Sequence, residues 1–255
     1  LATLESGVLS SVIAWGSPIP AFGDPLRARV ATLGLNPSDR EFVDAVGEEL
    51  DGDERRFHTL RSLGIERWGD ATEEHLSLIL DSCAHYFTRN PYDAWFRRLD
   101  WIISGTGASY YDRMDAACHL DLVPYATECK WTSLQSGQWR ALLSTGGNAL
   151  GELIRESPIR VLILNGASVV RGLESLTDVK FERRPITSWD LPRRDGRSVK
   201  GYAFAARVRD LAGVKLGKDL LILGYNHNIQ SSFGVTRAVL GSIRRWIGAR
   251  TGEFA

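Results

Sequence analysis

The sequence is poor in cysteine, with only Cys83, Cys118 and Cys129, and the three are scattered. There is no Cys-x-x-Cys pair and no neighbouring Cys/His set, which argues against a structural zinc or a four-cysteine iron–sulfur cluster. No metal or other cofactor is expected. Isolated thiols fit a reducing, cytoplasmic compartment. No apolar run approaches the roughly 20 residues that span a bilayer, so no membrane partner is expected. The first 16 residues carry Glu5 and no basic cluster ahead of their apolar stretch, which argues against a secretory signal. Neither G-x-x-x-x-G-K nor a post-strand G-x-G-x-x-G is present, which disfavours P-loop and dinucleotide-binding folds. Internal repeats and low-complexity segments are also missing.

A surplus of charge is missing too, since 31 basic residues balance 31 acidic ones. Phosphate binding would therefore need a local basic patch. The acids gather early, in Gly47-Glu48-Glu49-Leu50-Asp51-Gly52-Asp53-Glu54. The bases gather late, at Arg183, Arg184, Arg193, Arg194, Arg197 and Lys200, then Arg244, Arg245 and Arg250.

What is present is an ordinary globular composition, 44% hydrophobic and 24% charged over 255 residues. It predicts one α/β domain over residues 1–255. Apolar strands are expected at 29–35, 116–123, 160–164 and 219–223, each stopped by Asn, Pro or Gly. Helices are expected at 5–15, from 39 onward through Phe42, Val43 and Val46, at 55–63, from Thr72 through Leu76, Ile79, Leu80 and Cys83, at 92–103, at 139–154 with a disturbance at Gly146-Gly147, and at 236–247. Residues 191–198 read as a long basic surface loop. Four apolar strands alternating with helices predict a mostly parallel central sheet flanked by helices. Such sheets bind ligands outside the carboxyl ends of their strands.

Three chemistry-bearing segments fall at those ends. Gly34-Leu35-Asn36-Pro37-Ser38 follows the first strand, although Ser38-Asp39-Arg40-Glu41 also fits a helix capping box. His119-Leu120-Asp121-Leu122-Val123-Pro124-Tyr125 puts an acid in an apolar strand, on the same face as His119. An ionised carboxylate there needs a partner, whether structural or functional. Gly224-Tyr225-Asn226-His227-Asn228-Ile229-Gln230-Ser231-Ser232 crowds amide and imidazole groups behind a buried strand.

In this order, over residues 29–232, the chain resembles the uracil-DNA glycosylase superfamily. Gly34-Leu35-Asn36-Pro37-Ser38 looks like the glycine-apolar-Asn-Pro-small motif of the mismatch-specific and single-strand-selective branches. Arg55-Arg56-Phe57 follows as an Arg-Phe pair does in the mismatch branch. Asp121-Leu122-Val123-Pro124-Tyr125 resembles the Asn-Leu-Cys-Pro-Leu segment of the single-strand-selective branch. Asn226-His227-Asn228 falls where the family carries His-Pro-Ser or Asn-Pro-Ser before an intercalating loop, though Pro and Ser are absent here.

The resemblance implies a metal-independent glycosylase acting on single- or double-stranded DNA. Asn36 would position the attacking water, and Asn226 or His227 would hydrogen-bond the departing base. Phe42 would stack on the extruded base, and Ile229 or Gln230 would fill the gap in the helix. Ser38, Ser231, Arg193 and Arg194 are candidates for DNA contact. Asp121 replaces the uracil-reading Asn. An ionised Asp only accepts hydrogen bonds, which suits the N4 amino group of cytosine and opposes O4 of uracil. The expected substrate is therefore a modified cytosine, such as the glucosylated hydroxymethylcytosine of phage DNA, as in bacterial anti-phage glycosylases. A uracil- or mismatch-specific glycosylase, a non-catalytic reader of a flipped base, and an enzyme of free nucleosides stay open.

Overall fold

Short apolar runs bounded by Pro, Asn or Gly become the strands of a buried sheet. The computed structural model describes residues 11–114, 116–146, 148–193, 196–230 and 234–254. Its strands are β1 (Val30–Gly34), β2 (Ala117–Asp121), β3 (Val161–Asn165), β4 (Glu182–Pro185), β5 (Leu191–Pro192), β6 (Ser198–Val199), β7 (Tyr202–Leu211) and β8 (Val214–Tyr225). Its helices are α1 (Leu60–Leu63), α2 (Glu73–Ala84), α3 (Asp93–Ile103), α4 (Ser136–Gly146), α5 (Ala149–Glu156), α6 (Ala167–Leu176) and α7 (Arg237–Gly252). The main sheet has six strands in the order β2-β1-β3-β8-β7-β4. The first four run parallel, and β7 and β4 extend the sheet antiparallel to their neighbours.

Both faces of the parallel part are covered, which is why its strands read as unbroken apolar runs. Alternate residues Val30, Ala117, Val161, Ile163, Leu221 and Leu223 belong to one core, with Cys83 of α2, Phe96, Leu99 and Ile103 of α3 and Ile243 and Ile247 of α7. Their neighbours Ala31, Leu33, Leu120, Leu162, Leu164 and Ile222 belong to the second core, with Leu142 of α4, Ile154 of α5 and Val170 and Leu173 of α6. Gly151 of α5 is required by close packing, because a Cβ there would collide with the Leu211 carbonyl and the Val214 side chain.

The sheet exceeds the four expected strands. The run at 219–223 lies in the second half of a longer strand, and its partner β7 is an additional strand that opens on the apolar run Tyr202-Ala203-Phe204-Ala205-Ala206 and continues into the exposed Arg207, Arg209 and Asp210. The turn between them uses Ala212 at φ 51° and Gly213 at φ 77°. The expected surface loop at 191–198 contains the β5–β6 pair. Residues 11–15 form turns instead of the expected helix, while 5–10 lie outside the described residues. The helix expected from 39 onward stops after one 3₁₀ turn, Asp39–Glu41. There the Asp44 carboxylate accepts from the Val46 and Glu48 amides, and Gly47 takes φ 93°, so a tight loop replaces the helix. The expected helix at 55–63 shortens to α1, and 139–154 splits at its glycines into α4 and α5.

The two sheet edges differ. Beside β2, Phe22 and His119 exchange backbone hydrogen bonds of 2.8 and 2.9 Å. On the far edge, β4 reads Glu182-Arg183-Arg184-Pro185, all exposed. Among the described residues no helix is long and apolar enough to cross a membrane.

Leu162 and Ile163 are neighbours on β3 that enter opposite cores. Replacing either with Ala should lower the unfolding free energy by about 2–5 kcal/mol, measured by urea titration. A loss confined to one of the two variants would mean that only one face of the sheet is packed.

Candidate functional site

The chain crosses from β1 to β2 on one side and returns past β1 to β3 on the other. A crevice opens at such a switch point, outside the carboxyl ends of the strands. Here it is a cavity of about 840 Å³. Its lining includes Asn36, Ser38 and Glu41 after β1, Tyr92 and Trp95 at the start of α3, and His119 and Asp121 on β2. Trp131, Asn228 and Gln230 complete the wall.

The floor is a polar stripe on an otherwise apolar face. Thr32 and Gly34 of β1 lie opposite His119 and Asp121 of β2 in register. Tyr110 Oη lies 2.5 Å from Thr32 Oγ1, which lies 2.6 Å from His119 Nδ1. His119 Nε2 stands 3.4 Å from Asp121 Oδ1. A tautomer with hydrogen on Nε2 lets every group donate toward Asp121: Tyr110 to Thr32, Thr32 to His119, and His119 toward the carboxylate. The side chains of His119 and Asp121 are almost fully buried. Gly34 makes this possible, because a Cβ at that position would overlap Asp121 Oδ1 and press on the His119 ring.

Asn36 is held by its amide nitrogen, which donates to the Pro37 carbonyl at 2.8 Å and to Thr127 Oγ1 at 3.0 Å. Thr127 in turn donates to the Cys129 carbonyl. Asn36 Oδ1 makes no hydrogen bond among the described residues. Ser38 is exposed at the mouth and caps the 3₁₀ turn by accepting from the Arg40 amide at 3.2 Å.

On the opposite wall, Tyr225 Oη donates to Asn165 Oδ1 at 3.0 Å, and Asn165 Nδ2 donates to Gln230 Oε1 at 3.1 Å. The direction is set by the buried phenol, whose proton needs Asn165 Oδ1 as acceptor. Gln230 Nε2 is then a buried amide nitrogen without a partner among the described residues. Orphan donors of this kind are rare in native proteins, and a ligand acceptor is one way to satisfy them.

Several expected site residues lie elsewhere. Phe42 is 2% exposed and packs in the core, 5.9 Å from the Trp15 ring and 6.1 Å from Phe57. It does not line the cavity, whose accessible aromatic walls are Tyr92, Trp95 and Trp131. Asn226 spends its amide on the backbone, accepting from the Tyr202 amide and donating to the Lys200 carbonyl, both at 2.8 Å. That bolts the start of β7 to the end of β8. His227 is 2% exposed and donates from Nε2 to the Trp189 carbonyl at 2.7 Å. Burial lowers its pKa and favours the neutral ring. Ile229 is fully buried, and its carbonyl accepts from Arg98. The β8 loop thus offers Asn228 and Gln230 to the cavity, not the expected pair. Arg193 is exposed on the β5–β6 turn. Arg194 and Ser231 lie outside the described residues.

Glu41 was legible only as part of a capping box, and it does not make one. Its carboxyl turns inward, 3% exposed, and Oε2 accepts from Tyr86 Oη at 2.8 Å. Burial raises its pKa from 4.5 to about 7, against the lowering effects of the Tyr86 hydrogen bond and the Arg56 charge, and Asp121 adds a further upward push. Arg56 is held by its own bonds to the Asn90 and Arg40 carbonyls, and Phe57 stacks on the Tyr86 ring at 5.2 Å. The Arg55-Arg56-Phe57 segment therefore supports this carboxyl. The missing signal was long-range, since Tyr86 lies 45 residues away.

Among the described residues no three His, Cys, Asp or Glu side chains are placed to hold a metal ion. The cavity instead collects acceptors on Asp121 and Asn36, the Gln230 side chain in its wall, a carboxyl that titrates near neutrality, and aromatic walls. That set can grip a flat, polar ring and move a proton beside it.

A carboxyl whose pKa rises on folding favours the folded state at low pH. The advantage is complete below about pH 4.5 and is lost as pH climbs through about 7. Glu41→Gln removes the titration. Its stability relative to the parent should therefore improve by about 3 kcal/mol between pH 4.5 and pH 8, read by urea unfolding at both values. A difference that does not change with pH would mean that Glu41 titrates normally. No known family model matches the chain, and no curated protein matches its sequence.

Proposed function

We propose that the protein is a DNA glycosylase that hydrolyses the N-glycosidic bond of a flipped cytosine-type base and leaves an abasic site. The observation that carries this reading is the buried Asp121 carboxylate beside Asn36, in one aromatic-walled cavity at the carboxyl ends of parallel strands. This is the meeting of motifs that the resemblance to the uracil-DNA glycosylase superfamily implies, and the α/β fold with its mostly parallel sheet accommodates it.

Asp121 accepts from the N4 amino group of cytosine, while uracil would set O4 against it. The Gln230 amide donates to the ring's O2 or N3. As the bond to the sugar breaks, negative charge gathers on those atoms, and a fixed donor there stabilises the transition state. Gln230 thus takes the part expected of Asn226 or His227. Trp95 or Tyr92 replaces Phe42 as the stacking ring. Asn36 Oδ1 accepts from the attacking water and aims it at C1′. The cavity is roomier than a bare pyrimidine requires, which favours a base carrying a substituent such as the sugar of glucosylated hydroxymethylcytosine.

DNA approaches along the carboxyl ends of the strands. Arg183 and Arg184 lie toward that end of the sheet, four strands from β1, or roughly 19 Å at about 4.8 Å per strand. Lys130 and Arg40 border the cavity itself. These bases would supply phosphate contacts that the neutral net charge does not. Activity on intracellular DNA places the protein in the cytoplasm, where Cys83, Cys118 and Cys129 would remain the free thiols they are here.

The test is incubation with duplexes carrying uracil, cytosine, hydroxymethylcytosine or glucosylated hydroxymethylcytosine, followed by alkali and inspection for strand breaks. Breaks are expected at the modified cytosine. Asp121→Asn should slow that reaction by one to two orders of magnitude, the scale of about 1–3 kcal/mol for a lost buried hydrogen bond. Asn36→Ala should abolish it with the fold intact. A parent that cuts none of the four would remove the glycosylase reading. A parent that removes uracil fastest, with a rate unchanged in Asp121→Asn, would remove the cytosine assignment.

A further inference from the structure

Resting on the glycosylase reading, we propose that Glu41 is the general base that takes a proton from the water held by Asn36. Asn36 can orient a water but has little capacity to accept its proton, so the motif after β1 lacks a base of its own. Glu41 lies five residues further on and lines the same cavity. Its Oε2 is engaged by Tyr86, and Oε1 makes no hydrogen bond among the described residues. Among the other carboxylates in the lining, Asp39 accepts from Ser38 and from the Arg40 amide, Glu128 is exposed, and Asp121 faces His119 and reads the base. Glu41 is the buried carboxyl of the lining that takes no part in reading the base and keeps an oxygen free of hydrogen bonds among the described residues.

The charges that act on Glu41 are Arg56 and Asp121, and Tyr86 is its hydrogen-bonding neighbour. Arg56 and Tyr86 favour the carboxylate, while Asp121 and burial oppose it. The balance leaves the group near neutrality, where a general base combines a populated ionised form with useful proton affinity. The step closes in atoms and electrons. The water oxygen bonds to C1′ as its proton passes to Glu41 Oε1. The C1′–N1 bond breaks and its electron pair passes into the base, where Gln230 faces the developing charge. The proton on Glu41 then returns to the departed base, restoring the carboxylate.

The experiment is single-turnover excision between pH 5.5 and 9, on whichever modified cytosine the parent cuts fastest. The parent rate should rise with pH to a plateau, with a midpoint near 7. Glu41→Gln should bind the same duplex within a few-fold of the parent, cut it about 10²–10⁴ times more slowly, and lose the acid limb. Tyr86→Phe removes a hydrogen bond that favours the carboxylate, so its limb should move to higher pH. A Glu41→Gln enzyme with the parent's rate or limb would overturn the assignment, as would a parent rate that falls through pH 7. If Glu41→Gln does not fold, an unmoved limb in Tyr86→Phe overturns it alone. A parent inactive on every base is a different result: the glycosylase reading fails first, and the role of Glu41 falls with it.

Discussion

The Asp121 carboxylate occupies space that any side chain at position 34 would fill. In a parallel pair, residues in register on one face point their side chains the same way, and Gly34 is the in-register partner of Asp121. Because Gly34 has none, the carboxylate lies across β1 and comes within 3.4 Å of the His119 ring. The imidazole is in turn fixed by Thr32 and Tyr110. One missing methyl thus sets the depth of the cavity floor and the direction in which the acceptor points. It also gives the glycine of Gly34-Leu35-Asn36-Pro37-Ser38 a steric reason, separate from any turn.

Two polar devices flank that floor, and both leave something unsatisfied. The Tyr225–Asn165–Gln230 chain ends in an amide nitrogen unpartnered among the described residues, and Glu41 carries a carboxyl that burial drives toward the neutral form. Native interiors pair their polar groups, so departures from that rule concentrate where a ligand completes the arrangement. The two apolar cores beneath the cavity supply the stability that tolerates them. His119 shows the same compromise within the core itself, since its ring is packed edge to face against Trp95 at 5.0 Å and Phe96 at 5.5 Å.

How much of this was legible in the sequence follows from range. The four parallel strands announce themselves because both faces are apolar, and the motifs at their ends follow from the sheet rule. Asn36 and Asp121 meet in one cavity as their strand positions imply. Phe42 and Ile229 were misplaced because an apolar residue near a motif looks the same whether it faces a ligand or a core. Asn226 and His227 were misplaced because a loop's polar side chains can bind a ligand or brace neighbouring backbone, and only the path of β7 decides between these. Glu41 was hidden by a local pattern, Ser38-Asp39-Arg40-Glu41, that fits a helix start, whereas its true partner, Tyr86, comes from the 3₁₀ turn Tyr86–Thr88 after α2. β7 is hard to read because its apolar start, Tyr202–Ala206, is short and gives way to Arg207, Arg209 and Asp210 in the same strand.

The two borders of the main sheet have a bearing on how the protein behaves in a crowded solution. An open strand edge invites a second copy to add its own strand, the first step toward fibrous association. On one border the inviting groups of β2 are partly taken by Phe22. On the other, β4 offers a glutamate, two arginines and a proline. Proline has no amide hydrogen to contribute to a growing ladder, and the charges would have to give up their water for another strand to dock. The arginines proposed to meet phosphate therefore also guard an edge. Exchanging them for apolar residues would make the chain sticky as well as weaken its hold on DNA.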